Sequence, residues 1–300
     1  MQPYPTFHKT RIAPTPSGFL HVGNVLSFAI TAALARKTSA RILLRIDDID
    51  RARITPQYVH DIFDTLHYLN IPWNEGPENY TQYEQEYSQL HRMPLYNKAL
   101  QQLREGGHVF ACECSRAQVL AASPDGAYPG TCREKGIPLD KENVSWRLRT
   151  DTGKEITFKT LQATNSGMLH TVTATLPANM HDFIVRKKDG FPAYQLTSVV
   201  DDDHFGIDLV VRGADLWPST IAQHYLAALI PGNTFQYSTS YHHPLLLETP
   251  DRKLSKSAGA TSIQFLRKEG KQPADIYTII ARMLGYEQPV KNFEDLLHLL

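Results

Sequence analysis

Apolar and polar positions along this chain follow two periods. Residues 10–13 read as a short strand. After a turn set by Pro14, Pro16 and Gly18, the run from Val25 to about Lys37 is apolar on nearly every face, the pattern of a largely buried helix. Residues 41–46 form a second strand with an apolar centre flanked by arginines. Strand, helix, strand predicts a right-handed parallel βαβ unit, and with it an α/β fold built on a doubly wound, Rossmann-like sheet. Val59, Ile62, Phe63, Leu66 and Leu69 give residues 56–69 a helical face, and residues 80–106 read as a second long helical region. At residues 145–149, 155–158 and 171–176 the period changes to two, which predicts an antiparallel insertion between the halves of the sheet. Residues 182–190 read as a hairpin and 243–247 as a strand; helices are expected near 194–204, 219–229 and 274–284, with a short segment at 294–299.

In a parallel sheet of this kind the ligand crevice lies beyond the carboxyl ends of the strands. The turn after the first strand points His21, Gly23 and the free backbone N–H groups at the start of a helix toward a fixed place, and such an N-terminus attracts anions, phosphates above all. The second strand delivers Asp47, Asp48 and Asp50, carboxylates that repel one another unless cations answer them. A later strand delivers Arg212 and Asp215; a buried arginine there requires a carboxylate partner. Taken alone, His21 suits a surface turn, the acidic run suits a helix cap, and Lys253 and Lys256 suit a flexible basic loop.

Composition narrows the field. The 300 residues carry 31 basic and 31 acidic side chains, so no whole-molecule basic footprint marks a nucleic-acid binder and any RNA contact rests on local patches. No apolar run is long enough to span a membrane, and Met1-Gln-Pro-Tyr-Pro lacks the features of a signal peptide, so a cytoplasmic protein without membrane contact is expected. The three cysteines, Cys112, Cys114 and Cys132, lie close together with Tyr128 between them. An odd count argues against a disulfide framework. The residues alone leave two readings open: three reduced thiols near a turn, or a tetrahedral Zn²⁺ site of three thiolates and a fourth donor, either Tyr128 or His108.

Several motifs together point to a family. Arg11-Ile-Ala-Pro-Thr-Pro-Ser-Gly18 followed by His21-Val-Gly-Asn24 resembles the first signature of class I aminoacyl-tRNA synthetases in its glutamyl/glutaminyl form, with Asn24 where the signature ends in histidine. Lys253-Leu-Ser-Lys-Ser257 resembles the second signature. Arg45-Ile-Asp-Asp-Ile-Asp50 is similar to the family's Arg-Ile-Glu-Asp-Thr-Asp, Asp47 being one methylene shorter than the glutamate it replaces. Trp73-Asn-Glu-Gly-Pro77, Tyr194-Gln-Leu and Val211-Arg-Gly-Ala-Asp-Leu216 match the same branch. The Cys-x-Cys…Tyr…Cys spacing resembles the zinc site of glutamyl-Q-tRNA(Asp) synthetases, short paralogues of glutamyl-tRNA synthetases.

The resemblance implies ATP-dependent activation of L-glutamate without tRNA, then transfer to the queuosine base of tRNA(Asp). It implies His21 and Lys256 as catalytic groups; His21, Gly23, Asn24, Lys253 and Lys256 as ATP contacts; and Arg11, Ala13, Thr15, Asp47, Tyr194 and Arg212 as glutamate contacts. One structural zinc on Cys112, Cys114, Tyr128 and Cys132, and Mg²⁺ accompanying ATP, complete the set. The expected organisation is a split catalytic domain (1–106 and 181–257), an inserted zinc-binding subdomain (107–180) and a short helical segment (258–300) in place of an anticodon-binding domain, in a monomer. The rival readings are a reduced glutamyl-tRNA synthetase charging tRNA 3′ ends, a non-catalytic paralogue that binds amino acid or tRNA, and an adenylate-forming ligase for a small amine.

Overall fold

The computed structural model describes residues 4–162, 167–249, 252–253 and 262–299, with 247–249 and 252–253 as backbone. Chain order runs β1 (Lys9–Ile12), α1 (Val22–Thr38), β2 (Arg41–Leu44), α2 (Pro56–Tyr68), a short α3 (Tyr80–Gln82), α4 (Met93–Glu105), β3 (Val109–Cys112), α5 (Arg116–Ala122), β4 (Ser145–Leu148), β5 (Ile156–Gln162) and β6 (Met168–Ala174). It continues through β7 (Ile184–Arg186), α6 (Tyr194–His204), β8 (Leu209–Gly213), α7 (Trp217–Ala227), β9 (Thr239–His243), β10 (Leu247–Thr249), β11 (Arg252–Lys253), α8 (Ile263–Lys268), α9 (Pro273–Met283) and α10 (Phe293–Leu297).

The main sheet has six strands in the order β2-β1-β8-β9-β5-β6. All neighbours in it are parallel except the β5–β6 pair. The doubly wound class expected from the sequence is therefore what the sheet shows, with one antiparallel edge strand. The chain leaves β1 for β2 on one side and returns as β8 on the other, which makes the end of β1 a topological switch point.

α1 explains how that point is rigid. Its apolar run is buried between the sheet and the C-terminal helices: Val25, Leu26, Ala29, Ile30 and Leu34 pack with Ile276, Tyr277, Ile280 and Leu296 in one core cluster. Arg36 pairs with Glu294 across the contact, and the Tyr277 hydroxyl donates to the Leu69 carbonyl at 2.9 Å. A second cluster, including Leu100, Leu148, Val185, Leu196 and Leu226, fills the opposite face. Among the described residues no helix is long and apolar enough to cross a membrane.

Three expectations shift. The helical region at 80–106 is interrupted by a wide turn at Tyr83–Tyr87 and a tight one at Gln89–Arg92. The chain bends there around the buried Asp48 carboxylate, which accepts from Tyr83 Oη (2.6 Å), Ser88 Oγ (2.6 Å) and the Gln89 amide (2.7 Å). Residues 145–176 do not form one insertion: β4 pairs antiparallel with β3 and β7 in a three-stranded sheet, whereas β5 runs parallel to β9 and adds β5 and β6 to the main sheet. The hairpin expected at 182–190 is present: after β7, which also joins β4, the chain turns at Lys187–Gly190 and Arg186 bridges Pro192 antiparallel. The strand expected at 243–247 lies earlier, at β9, and its polar residues are buried because neighbours flank it on both sides; it ends before Pro244, which has no N–H for the ladder.

Candidate active site and metal centre

A cavity of about 440 Å³ opens beyond the carboxyl ends of β1, β2, β8 and β9. Arg11, Ala13, Thr15, His21, Gly23, Asn24, Asp47, Tyr194 and Arg212, nine positions singled out in the sequence, all line it. Lys256 lies outside the described residues, and Lys253 is described as backbone in β11.

His21 is the N-cap of α1. Its Nδ1 accepts from the Gly23 amide at 3.1 Å, and Asn24 Oδ1 accepts from the His21 amide at 3.1 Å, a reciprocal cap. The Asn24 amide bonds the His21 carbonyl at 2.9 Å. The amides of Gly23 and Asn24, expected from the sequence to face a phosphate, are thus engaged within the cap. With Nδ1 accepting, the neutral ring carries its proton on Nε2, so the imidazole is a donor at the positive end of a helix. A Cβ on Gly23 would press on the His21 ring at 3.0 Å, so a larger residue there would have to shift the ring within its cap.

The floor of the cavity is an ion-pair chain. Arg45 grips both oxygens of Asp47 at 2.6 and 3.0 Å and reaches Asp202 at 2.6 Å. Arg11 Nε meets Asp202 at 3.2 Å, and its Nη1 donates to the Val211 carbonyl. Arg92 pairs with Asp201 at 2.7 Å, and Arg45 lies 3.8 Å from Asp201. Burial would raise the Asp201 pKa, but the bond from Arg92 and the charge of Arg45 outweigh it and hold it below the usual carboxylate range. Burial wins at Asp47, whose pKa is raised despite Arg45. Both Asp47 oxygens are engaged by Arg45, an arrangement the acidic run alone did not reveal.

Arg212 differs. It is 3% exposed at the end of β8. Its Nη1 donates to Gln223 Oε1 at 2.8 Å, while Nε and Nη2 have no hydrogen-bond partner among the described residues. Burial pulls its pKa down to about 10, still cationic at neutral pH. A buried guanidinium with two unmet donors is costly unless an anion completes it. Tyr194, 44% exposed at the start of α6, stands at the same wall. Sequence reasoning left out Arg45, Asp202 and Gln223. The first showed as a strand-flanking charge, and Gln223 as one polar residue in an apolar helix.

The second centre lies at the end of β3. The Sγ atoms of Cys112, Cys114 and Cys132 are within 4.8 Å of one another, and Cys114 and Cys132 are 3.6 Å apart. A tetrahedral zinc with Zn–S bonds of about 2.3 Å places its sulfurs roughly 3.8 Å apart, so the three thiols fit that ion. Tyr128 Oη accepts from Cys112 Sγ at 3.4 Å and from the Cys132 amide at 2.8 Å, which points the phenol into the cluster. His108 is not part of it. Burial would raise the Cys112 pKa, but bonds with Tyr128 and Arg147 bring it to about 7. Burial and the neighbouring thiols push Cys114 up to about 11.

The family model of class I tRNA synthetases (E and Q), catalytic domain, matches residues 8–295. A Glutamyl-Q tRNA(Asp) synthetase of Rhodobacter capsulatus is 33% identical over 90% of this chain and 99% of its own length. One of Geobacter sulfurreducens is 35% identical over 94% of this chain and 85% of its own. Among solved structures, the glutamate-tRNA synthetase of Elizabethkingia anophelis superposes with a TM-score of 0.72 at 20% identity, over 97% of this chain and 65% of that one. The last likeness speaks to the fold.

Proposed function

This chain belongs to the class I tRNA synthetases of the glutamate and glutamine branch and is a ligase of the aminoacyl-tRNA synthetase type; from that premise we propose that it activates L-glutamate with ATP in the absence of tRNA and transfers it to the queuosine base of tRNA(Asp). The observation that carries the first half is Arg212: a buried cation two donors short of satisfaction, in the cavity that also holds the capped end of α1. The names of the two relatives, matched over most of their lengths, support the second half.

On this reading the glutamate side-chain carboxylate docks on Arg212, with Tyr194 and Arg11 beside it, and its α-carboxylate faces the mouth of α1. An α-carboxylate oxygen attacks the α-phosphorus of ATP in line, the bond to the bridging oxygen breaks, and pyrophosphate leaves. The chain's part is to position the reactants and stabilise charge on the phosphates. His21 donates through Nε2 and α1 adds its positive end; the sequence assigns Lys253 and Lys256 to the same task. Magnesium arrives with ATP as its phosphate complex and neutralises part of its charge. A queuosine hydroxyl then attacks the activated carbonyl carbon and AMP departs. Cys112, Cys114, Tyr128 and Cys132 would hold one zinc, which supplies a rigid tetrahedral tie and no chemical step. We place the protein in the cytoplasm, where ATP and tRNA meet, as a monomer.

The test is ATP–pyrophosphate exchange with glutamate and no RNA, followed by transfer of labelled glutamate to queuosine-containing tRNA(Asp). Exchange and transfer are the expected result. Exchange that begins only when tRNA is added, with label on a 3′ end, replaces this reading with ordinary glutamyl-tRNA synthesis.

A further inference from the structure

The charges around the cavity floor divide unequally. Arg11, Arg45 and Arg92 interlock with Asp47, Asp201 and Asp202, three guanidiniums with three carboxylates. Arg212 stands outside that chain. Its hydrogen-bond partner among the described residues is a neutral amide, Gln223, fully buried on α7, the helix that follows β8 directly. The amide orientation is forced, since a guanidinium N–H needs an acceptor and only Oε1 accepts. The consequence is unusual for a buried arginine: it is held in direction without being neutralised.

We propose that Gln223 is the positioning residue that fixes the Arg212 guanidinium while leaving its charge uncompensated, and that this neutral anchor makes the site select a substrate carboxylate over a carboxamide. The inference rests on the glutamate reading of the cavity and goes beyond it to how glutamate is told from glutamine. A carboxylate ligand supplies the missing charge and accepts from both unmet donors. A carboxamide supplies no charge, and its NH₂ faces a guanidinium that cannot accept, so one donor stays buried and unmet. A carboxylate at position 223 would itself neutralise Arg212 and remove the advantage.

The experiment compares wild type, Gln223→Glu and Gln223→Met in ATP–pyrophosphate exchange, with glutamate and with glutamine as substrate. For Gln223→Glu the glutamate KM is expected to rise about tenfold or more, with the ATP KM within about twofold, and the glutamate-to-glutamine ratio of kcat/KM to fall by a similar factor. Gln223→Met keeps the volume and the charge of Arg212 but drops the anchor. Its glutamate KM is expected to rise severalfold while the ratio stays high. A packing role alone would leave the ratio alike in both variants, and that result overturns the inference, as does a Gln223→Glu protein indistinguishable from wild type. If circular dichroism shows Gln223→Glu unfolded, Gln223→Met decides: an unchanged glutamate KM overturns the proposal. Wild-type protein without glutamate-dependent exchange overturns the glutamate reading and this inference together, whereas wild-type exchange with unaltered variants overturns the inference alone.

Discussion

The cysteine knuckle and the cavity floor each gather polar side chains out of water, and each is incomplete in a different way. The knuckle has a small core of its own: Phe110, Cys112, Val119, Tyr128 and Cys132 are its buried members, with Cys114 and Ile137 at the side. Little apolar area is available there to fix three thiols and a phenol. The cavity floor sits on the two large clusters, and its own ion pairs balance. One region has only a small core to hold it together. The other is held together and lacks a single anion. The first shortfall suits a site that a metal would tie together, and the second suits a site whose charge balance a substrate anion would complete.

Chelation should break the comparison most visibly. Structural zinc contributes apparent folding energies on the order of 10 kcal/mol. Its removal is expected to raise amide hydrogen exchange across residues 110–137 by orders of magnitude, with α1 and β8 unchanged; unchanged exchange in the knuckle would show that the thiols pack without a metal. Next comes Asp202→Ala, which strips the anion shared by Arg11 and Arg45. Breaking such a buried pair is expected to lower unfolding free energy by about 3–5 kcal/mol, read by denaturant titration. Arg212→Ala should have the opposite balance: glutamate-dependent exchange falls roughly a hundredfold or more, while stability holds or rises because an uncompensated buried charge is gone. A protein as destabilised as Asp202→Ala would place Arg212 in the structural network after all. The smallest effect belongs to Tyr194→Phe. On its half-open wall a severalfold rise in glutamate KM is expected, with the melting temperature unmoved.

The sequence revealed the cavity more fully than the fold around it. Proline, glycine and the apolar run located the switch from β1 to α1, and strand ends, helix starts and the family resemblance together marked nine residues that do line one space. These were legible because turn chemistry and helix burial are local. What escaped was set by distant partners. Asp48 bends the chain between Tyr80 and Arg92 through bonds from three residues that no helical period marks. β9 is polar yet central, and it captures β5 by a parallel pairing that leaves no trace in the alternation of either strand. Arg45 looked like a solvated end of a strand and is the hub of the floor. Asp47 looked like one of three carboxylates in need of a cation, and it has both oxygens on Arg45.

His21 carries a further consequence. One imidazole both caps α1 and lines the cavity. Foldability and reactivity are therefore coupled at a single position, and selection on either constrains the other. An alanine there would remove a cap and a donor in one stroke, so its lost rate would have two indistinguishable origins. Asparagine caps a helix well without a ring that reaches a phosphate. His21→Asn thus separates the two debts of that residue, leaving α1 intact and the chemistry alone to answer for any loss.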